Sequence, residues 1–540
     1  MHYPPPRRHF LRRMVIGSGL AAFGRFAASA QPGSALTATA SFVPRKARQI
    51  FIKNGVPQNA VEEAVLFPFD DYSLPFSRDL HMSLVTGRKF PDEVDNGLNI
   101  VMDPRQPTKP VLPQGKRGEP DSYEVLCPNV FLIDGEYRMW YLGQGEDRKR
   151  RSCYAVSKDG FSWERPKLGL VEYSGSKQNN LVSGPCGEWV LYEPEDPDPS
   201  RRFKSLYMGP VMRIGVSFSA DGLIWKAGSQ DIFGIGCELG TVFKFNGCYY
   251  ANGQGGPAPI NRPIPPPIEG ASKRIMVTYA SYDFEHWTHA AAMSFRRDNI
   301  PPRVPTDFEP HRGPQVHEGA PVWDRGSVLI GFYGQWENPR NDRRYWKQDI
   351  GFAISHDGMH FREPIPDFKM VHSYEERDGA AEFLVQRNAF ANIGDRTVYW
   401  YSVARTLPTE PTGVKVATWV RDRLGCFSAA RKNHGFGAAY EPHCISCPIE
   451  LKQPDSRIFV NADGLGEYSQ IKVHLLDHQF RPVPRYSGGD CVPISESGLR
   501  QPAVWRNRTQ LEEFIHPIRI RVDWEGIRPE DAQLYAIYVA

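Results

Sequence analysis

One heptapeptide recurs along this chain. Ser157-Lys-Asp-Gly-Phe-Ser-Trp163, Ser219-Ala-Asp-Gly-Leu-Ile-Trp225, Ser281-Tyr-Asp-Phe-Glu-His-Trp287 and Ser355-His-Asp-Gly-Met-His-Phe361 share a serine, an aspartate two places on and a terminal aromatic ring. The serines are 62 (157 to 219), 62 (219 to 281) and 74 (281 to 355) residues apart, and a degraded copy around Asp422 follows 65 residues after Asp357. Each copy ends a β-rich run such as Ile214-Gly-Val-Ser-Phe or Ile350-Gly-Phe-Ala-Ile. Asp-Gly closes tight turns, Ser and Asp side chains bond turn backbone, and the ring packs back on the hairpin. A second hairpin lies upstream in most units: Val130 to Trp140 around Asp134-Gly135, Val242 to Tyr250 around Asn246-Gly247, Val322 to Leu329 around Gly326, and Phe390 to Trp400 around Gly394-Asp395. Two hairpins per period make four antiparallel strands, and four strands repeated radially make a β-propeller. Five units predict an all-β fold with a five-bladed β-propeller over residues 65–430.

Composition agrees with turn-rich β structure. Gly (48) and Pro (47) are abundant without a period of three, and 41% of residues are apolar, which suits a folded globular chain. Beyond 430 the runs Arg457-Ile-Phe-Val-Asn, Ile471-Lys-Val-His-Leu-Leu, Ile518-Arg-Ile-Arg-Val and Leu534-Tyr-Ala-Ile-Tyr-Val alternate with turn signals, which predicts a C-terminal β-sandwich over 431–540. The formal charge of +3 excludes a strongly basic nucleic-acid or membrane-surface protein. Arg7-Arg8-His9-Phe10-Leu11, a short apolar run from Met14 to Phe23, and Ala28-Ser29-Ala30 resemble a twin-arginine export signal. Residues 1–30 are thus read as an address and 31–64 as a flexible leader. The mature protein is expected in the periplasm or outside the cell, with no membrane association once the signal is removed. Nine cysteines cannot all pair within one chain. Cys444-Ile-Ser-Cys447 lacks both a βαβ context and a second CxxC, so the cysteines read as small buried hydrophobes. The chain has no Gly-rich phosphate loop, no Gly-x-Ser-x-Gly and no His-Glu-x-x-His.

A five-bladed propeller followed by a β-sandwich resembles the glycoside hydrolase superfamily that contains families 32, 43, 68 and 130. Tyr154-Ala-Val-Ser-Lys-Asp-Gly-Phe-Ser-Trp163, Leu168-Gly-Leu-Val-Glu-Tyr-Ser-Gly and Phe459-Val-Asn-Ala-Asp-Gly464 look like family-32-like secreted bacterial proteins. The resemblance implies paired-carboxylate cleavage of glycosidic bonds in a funnel where the innermost strands converge, with a carbohydrate as substrate and no cofactor. A structural calcium ion at the axis is compatible with it, although no ligand set can be read. Cys237-Glu238-Leu-Gly240 is similar to the family-43 run that carries the general acid, so Glu238 inherits that role. His317-Glu318-Gly319 occupies the equivalent place in the fourth unit, where Glu318 binds sugar hydroxyls or supplies the acid instead. Glu188 stands where the families carry a stabilising or pKa-tuning aspartate. The first unit departs from the pattern: Cys127-Pro128 replaces the expected Asp-Pro, leaving Glu124 and Asp121 as the candidate base. Gln386, Arg387 and Asn388 are expected to face the funnel, the arginine toward an anionic substituent, and Trp189 and Trp336 to stack on sugar rings. The competing functions are a propeller that binds carbohydrate without cleaving it, which Cys127 motivates, and a sialidase-like enzyme. Sialidase repeats are one residue longer and come in six blades.

Overall fold

A computed structural model describes residues 49–56, 60–90, 109–209, 213–229, 232, 237–255, 274–297, 315–337, 346–373, 383–405, 412–431, 439–452, 455–506 and 508–540. The export signal over 1–30, the leader up to residue 48 and the Pro-rich stretch 256–270 lie outside the described residues. The described chain is all-β: it holds no α-helix, only strands, turns and short 3-10 segments such as Pro199–Arg201.

The heptapeptide is a self-bonded turn. The Ser219 hydroxyl accepts from Gly222 N at 2.9 Å, and Asp221 Oδ1 accepts from Leu223 N and Ile224 N at 2.8 and 2.9 Å. Ser157, Ser281 and Ser355 do the same at their turns. The ring closes the motif: Trp225 Nε1 donates to Gly222 O at 2.8 Å. The same carbonyl accepts from Trp140 Nε1 of the preceding sheet at 2.7 Å, and Gly160 O likewise accepts from Trp400 Nε1 of the last sheet at 2.8 Å. At these two copies the turn is therefore a docking point for a neighbouring sheet. A Cβ on Gly222, whose φ is +76°, would meet Trp140 Cζ2 at 2.5 Å. Gly222→Ala is expected to destabilise the fold by about 2–3 kcal/mol, the left-handed penalty plus overpacking, read as a lower urea midpoint at unchanged slope.

These turns organise five groups of strands. The first is Glu124–Ile133, Glu136–Gln144 and Arg150–Ser157; the second starts at Trp189–Tyr192 and the third at Cys237–Phe245. The fourth starts with Gln315–His317 and Val322–Asp324, and the fifth with Phe383–Val385 and Phe390–Ile393. One parallel bridge, Gln348 to Phe383, joins the fourth and fifth. The hairpin turn at Asp134-Gly135 has φ of 51° and 76°, and that at Asn246-Gly247 has 49° and 77°. Both are the signature of the two-residue turn that matches strand twist. The outer strands of the fifth group, Arg88–Phe90 and Leu112–Pro113, come from before the first. The fifth and first groups also meet at their leading strands, where Val130 N donates to Asn388 O at 2.8 Å.

Two further six-stranded sheets share one core. Ile449, Ile471, Val473, Ile520 and Val522 from one face Leu66, Ile458, Val460, Leu534 and Ile537 from the other. Their membership corrects the boundaries drawn from sequence. Ile50–Ile52 pairs with Ile449–Leu451, Ala64–Leu66 with the last strand, Phe76–Arg78 with His443–Ile445, and Leu80–Leu84 with Gly425–Ala429. The expected leader thus contains one core strand and the first residue of a second, and the strands up to Leu84 pair with the C-terminal sheets rather than the repeats. The reason is burial: Ile50 and Ile52 are 1% and 4% exposed. Eight of the nine cysteines are buried and Cys186 is half-buried, and none is in a disulfide.

Candidate active site

Acidic residues at or beside the starts of three leading strands come to one place. Glu188 directly precedes its strand, and Glu238 is the second residue of Cys237–Phe245. Glu318 lies in the break between Gln315–His317 and Val322–Asp324, with a left-handed φ of 57°. That turn is over-determined, as a strained conformation must be. Gln386 Nε2 donates to His317 O and Gly319 O at 2.6 and 3.0 Å, Asn252 brackets Ala320 through both its N–H and its C=O, and Gln254 Oε1 accepts from Glu318 N at 3.2 Å. Gly240 makes the approach possible: a Cβ there would stand 1.2 Å from Glu318 O. The Leu239–Thr241 bulge sits at the same spot.

Arg387 is the centre of the cluster. It is fully buried, donating through Nη1 to Glu318 Oε2 at 2.7 Å and through Nη2 to Glu188 Oε2 at 2.9 Å. Arg150 Nη1 holds the other oxygen of Glu188 at 3.0 Å. Glu238 has no such cation in contact; Gln254 Nε2 donates to it, and Gln254 in turn accepts from Arg274, whose guanidinium lies 3.9 Å over the Trp336 ring. The environments diverge. Burial, then the negative charge of Glu318, pushes the Glu238 carboxyl up to about 7. Burial also works against the Glu318 charge, but Arg387 overcomes it and holds that carboxyl below its ordinary value. Burial lowers His317 to about 4, so its imidazole is neutral, and its Nδ1 has no hydrogen-bond partner. One atom each from Glu238, His317 and Glu318 lies within 4.8 Å of the others, a spacing that a cation could bridge.

The structure thus brings together Glu188, Glu238, Glu318 and Arg387 of the residues singled out from sequence. It does not bring the rest. Asp121 is fully buried, accepting from Tyr141 Oη at 2.7 Å and Arg165 Nε at 2.8 Å, in a network of its own. Glu124 accepts from Arg405 N at 2.9 Å and reaches the cluster only through the field of Arg150. Trp189 and Trp336 are 1% and 4% exposed, so neither presents a face to a sugar; they pack in the cores behind the site. Gln386 is spent on the Glu318 turn. The Asn388 side chain donates to Val242 O at 2.8 Å and accepts from Thr241 Oγ1 and Val322 N, tying the third, fourth and fifth strand groups together. Arg387 faces two carboxylates of its own chain rather than an anionic substituent. Cys127 does stand beside the cluster, its thiol 3.7 Å from Glu188 Oε2 and its φ 61°. Burial raises that thiol well above its ordinary range, so it is no substitute carboxylate. Sequence reasoning missed Arg150, Arg274 and Gln254. Only the basic run Arg148-Lys-Arg-Arg151, ending a turn beside a leading strand, was a signal.

No family model matches the chain, and no curated protein does. Among solved structures the chain is similar to one from work on the family-130 mannoside phosphorylases, a family containing glycoside hydrolases that target β-1,2-mannosidic linkages in Candida mannan. There the identity is 16% over 62% of this chain and 95% of that one, with a TM-score of 0.38. It is also similar to a glycosyl hydrolase from Bacteroides ovatus, at 16% identity over 63% and 95% of the two chains and a TM-score of 0.36. A third is a family-43 arabinoxylan arabinofuranohydrolase from Bacillus subtilis in complex with cellotetraose, at 11% identity over 79% and 98% and a TM-score of 0.35.

Proposed function

We propose that this protein is a glycosidase that hydrolyses O-glycosidic bonds of an oligo- or polysaccharide, with Glu238 as general acid and Glu318 as its ionised partner. One observation carries the reading: two carboxyl groups with oxygens within 4.8 Å sit in environments that drive their protonation apart, one raised to about 7 and one lowered. A proton donor and a carboxylate at short separation are what a retaining double displacement needs. Glu318 holds Arg387 through Oε2, and its Oε1 has no partner among the described residues. In the first step Glu318 bonds to the anomeric carbon while the bond to the leaving oxygen breaks and Glu238 gives that oxygen its proton. In the second, Glu238 takes a proton from water, the resulting hydroxide bonds to the anomeric carbon, and the glycosyl–Glu318 bond breaks, restoring both groups. Glu188, held by Arg150 and Arg387, stabilises the positive charge that develops on the sugar.

Within the same proposal the five strand groups are blades of a five-bladed propeller. The two six-stranded sheets form a β-sandwich, and the N-terminal segment exports the folded chain. Incubation with a panel of defined oligosaccharides, followed by proton NMR of the first-formed anomer, tests the chemistry. Release of sugar with retained configuration is expected. Inverted product would remove Glu318 from its role. Binding without release would favour the carbohydrate-binding reading, to which the neutral thiol of Cys127 in place of a first carboxylate points.

A further inference from the structure

A cavity of about 550 Å³ opens beside Glu188, walled by Leu142, Leu181, Val182 and Met208 among others. Its charged lining is Arg150, Arg151 and Glu188. Two of the three are satisfied internally. Arg151 gives both terminal nitrogens to Asp147, and Glu188 has one guanidinium on each oxygen. Arg150 is different. Among the described residues only its Nη1 is engaged, on Glu188 Oε1, and its side chain is 56% exposed. A guanidinium carries five N–H donors and no acceptor, so Nε and Nη2 form a planar fork with no partner among the described residues, on a side chain that lines the cavity and is anchored at one corner by a carboxylate that is itself held. Sugar hydroxyls need acceptors as well as donors. A rigid fork that only donates fits two oxygens of one anionic group. The loop reinforces the sign: Lys149 is exposed with no side-chain partner among the described residues, and the Arg148 guanidinium lies on the Tyr123 ring.

From this we infer that the cavity takes a sugar residue bearing an anionic group, a carboxylate or a sulfate ester, with Arg150 as the specificity-determining residue. The inference rests on the glycosidase reading for its biological setting, but binding tests it separately from turnover. The full-length protein as Glu238→Gln, which is expected to turn over too slowly to deplete ligand during a titration, is titrated with oligogalacturonides and glucuronic-acid-containing oligosaccharides, each beside its carboxyl-reduced neutral twin. A sulfated galactan oligosaccharide is titrated beside its desulfated form. At least one acidic ligand is expected to bind tenfold or more tightly than its twin. That ratio should shrink in 0.5 M salt and fall toward one in the Arg150→Gln, Glu238→Gln double variant, with Arg150→Lys in the same background keeping part of it. The pair that shows the ratio tells carboxylate from sulfate. Equal or tighter binding of every neutral twin, or no binding by either member of any pair, overturns the inference. Hydrolysis of neutral glycans by wild type in that case leaves the glycosidase reading standing. A charge preference in binding with no hydrolysis of any glycan overturns the glycosidase reading alone.

Discussion

Glu238→Gln is expected to lose turnover by about 10²- to 10⁴-fold in kcat on natural glycosides, the range that positioned proton transfer supplies. The loss should depend on the leaving group. An aryl glycoside whose phenol leaves without protonation needs no acid in the first step and should lose far less in glycosylation. A merely structural role for Glu238 would depress both substrates alike. The wild-type pH profile carries the same signature. Burial and the neighbouring Glu318 raise the Glu238 carboxyl of the free protein to about 7, so kcat/KM should fall as pH rises through that value, and the variant should lack this alkaline limb.

Stability should move the other way. A carboxyl near 4.5 in the unfolded chain and near 7 in the fold binds an extra proton in the native state between those values. Native stability therefore falls as pH rises from 4.5 to 7 and stays low above it. The neutral amide escapes that penalty and can still accept from Gln254. At pH 8 Glu238→Gln should thus be more stable than wild type, by on the order of 3 kcal/mol at most. A variant that is both inactive and more stable is a combination that simple misfolding cannot produce, and activity assays with urea unfolding at pH 5 and pH 8 check it.

How far the sequence carried the reading follows from the range of the interactions involved. The heptapeptide was legible because Ser, Asp and the ring bond within seven residues, and its period reports the spacing of the sheets. Glu238 was legible through its setting before Gly240, although what Gly240 does, admitting Glu318 O at a distance no Cβ allows, is a contact between residues 78 apart (240 to 318). Residues 50–84 were misassigned because their partners lie at 425–451 and 537–539, and short strands carry no sign of where they pair. Trp189 and Trp336 show the same limit. An aromatic ring beside a site reads identically whether it faces sugar or core, and only their burial decides it. Asn388 and Gln386 looked like substrate ligands because they are polar at a funnel; they are polar because irregular backbone at the axis needs side chains to satisfy it. Arg387 was found for the wrong reason, since its charge answers Glu188 and Glu318 rather than a ligand.

Replacing that arginine should have the largest effect on the fold. Among the described residues, Glu318 loses its charge-assisted donor in Arg387→Met and Glu188 keeps Arg150 alone. A buried pair broken from one side costs about 3–5 kcal/mol, because the remaining charge is left desolvated. The cost should vary with pH in a direction fixed by Glu318. Its carboxyl lies below the ordinary value in the wild-type fold, so the pairing stabilises above about pH 4.5 and the contribution is lost as pH falls through the folded value. The gap between wild type and Arg387→Met should therefore be widest at neutral pH and narrow as pH falls through the folded value of Glu318, since a protonated Glu318 no longer needs a cation. Adding Glu318→Gln to Arg387→Met should recover part of the loss at pH 7, whereas Glu318→Gln alone leaves Arg387 with Glu188 as its one carboxylate partner among the described residues and should destabilise. Urea midpoints for the four proteins at pH 4 and pH 7 close the cycle. If Arg387→Met cost the same at both pH values, the guanidinium would be acting by packing against Trp189, 5.9 Å from its ring, and not by holding Glu318 ionised beside a carboxyl that keeps its proton.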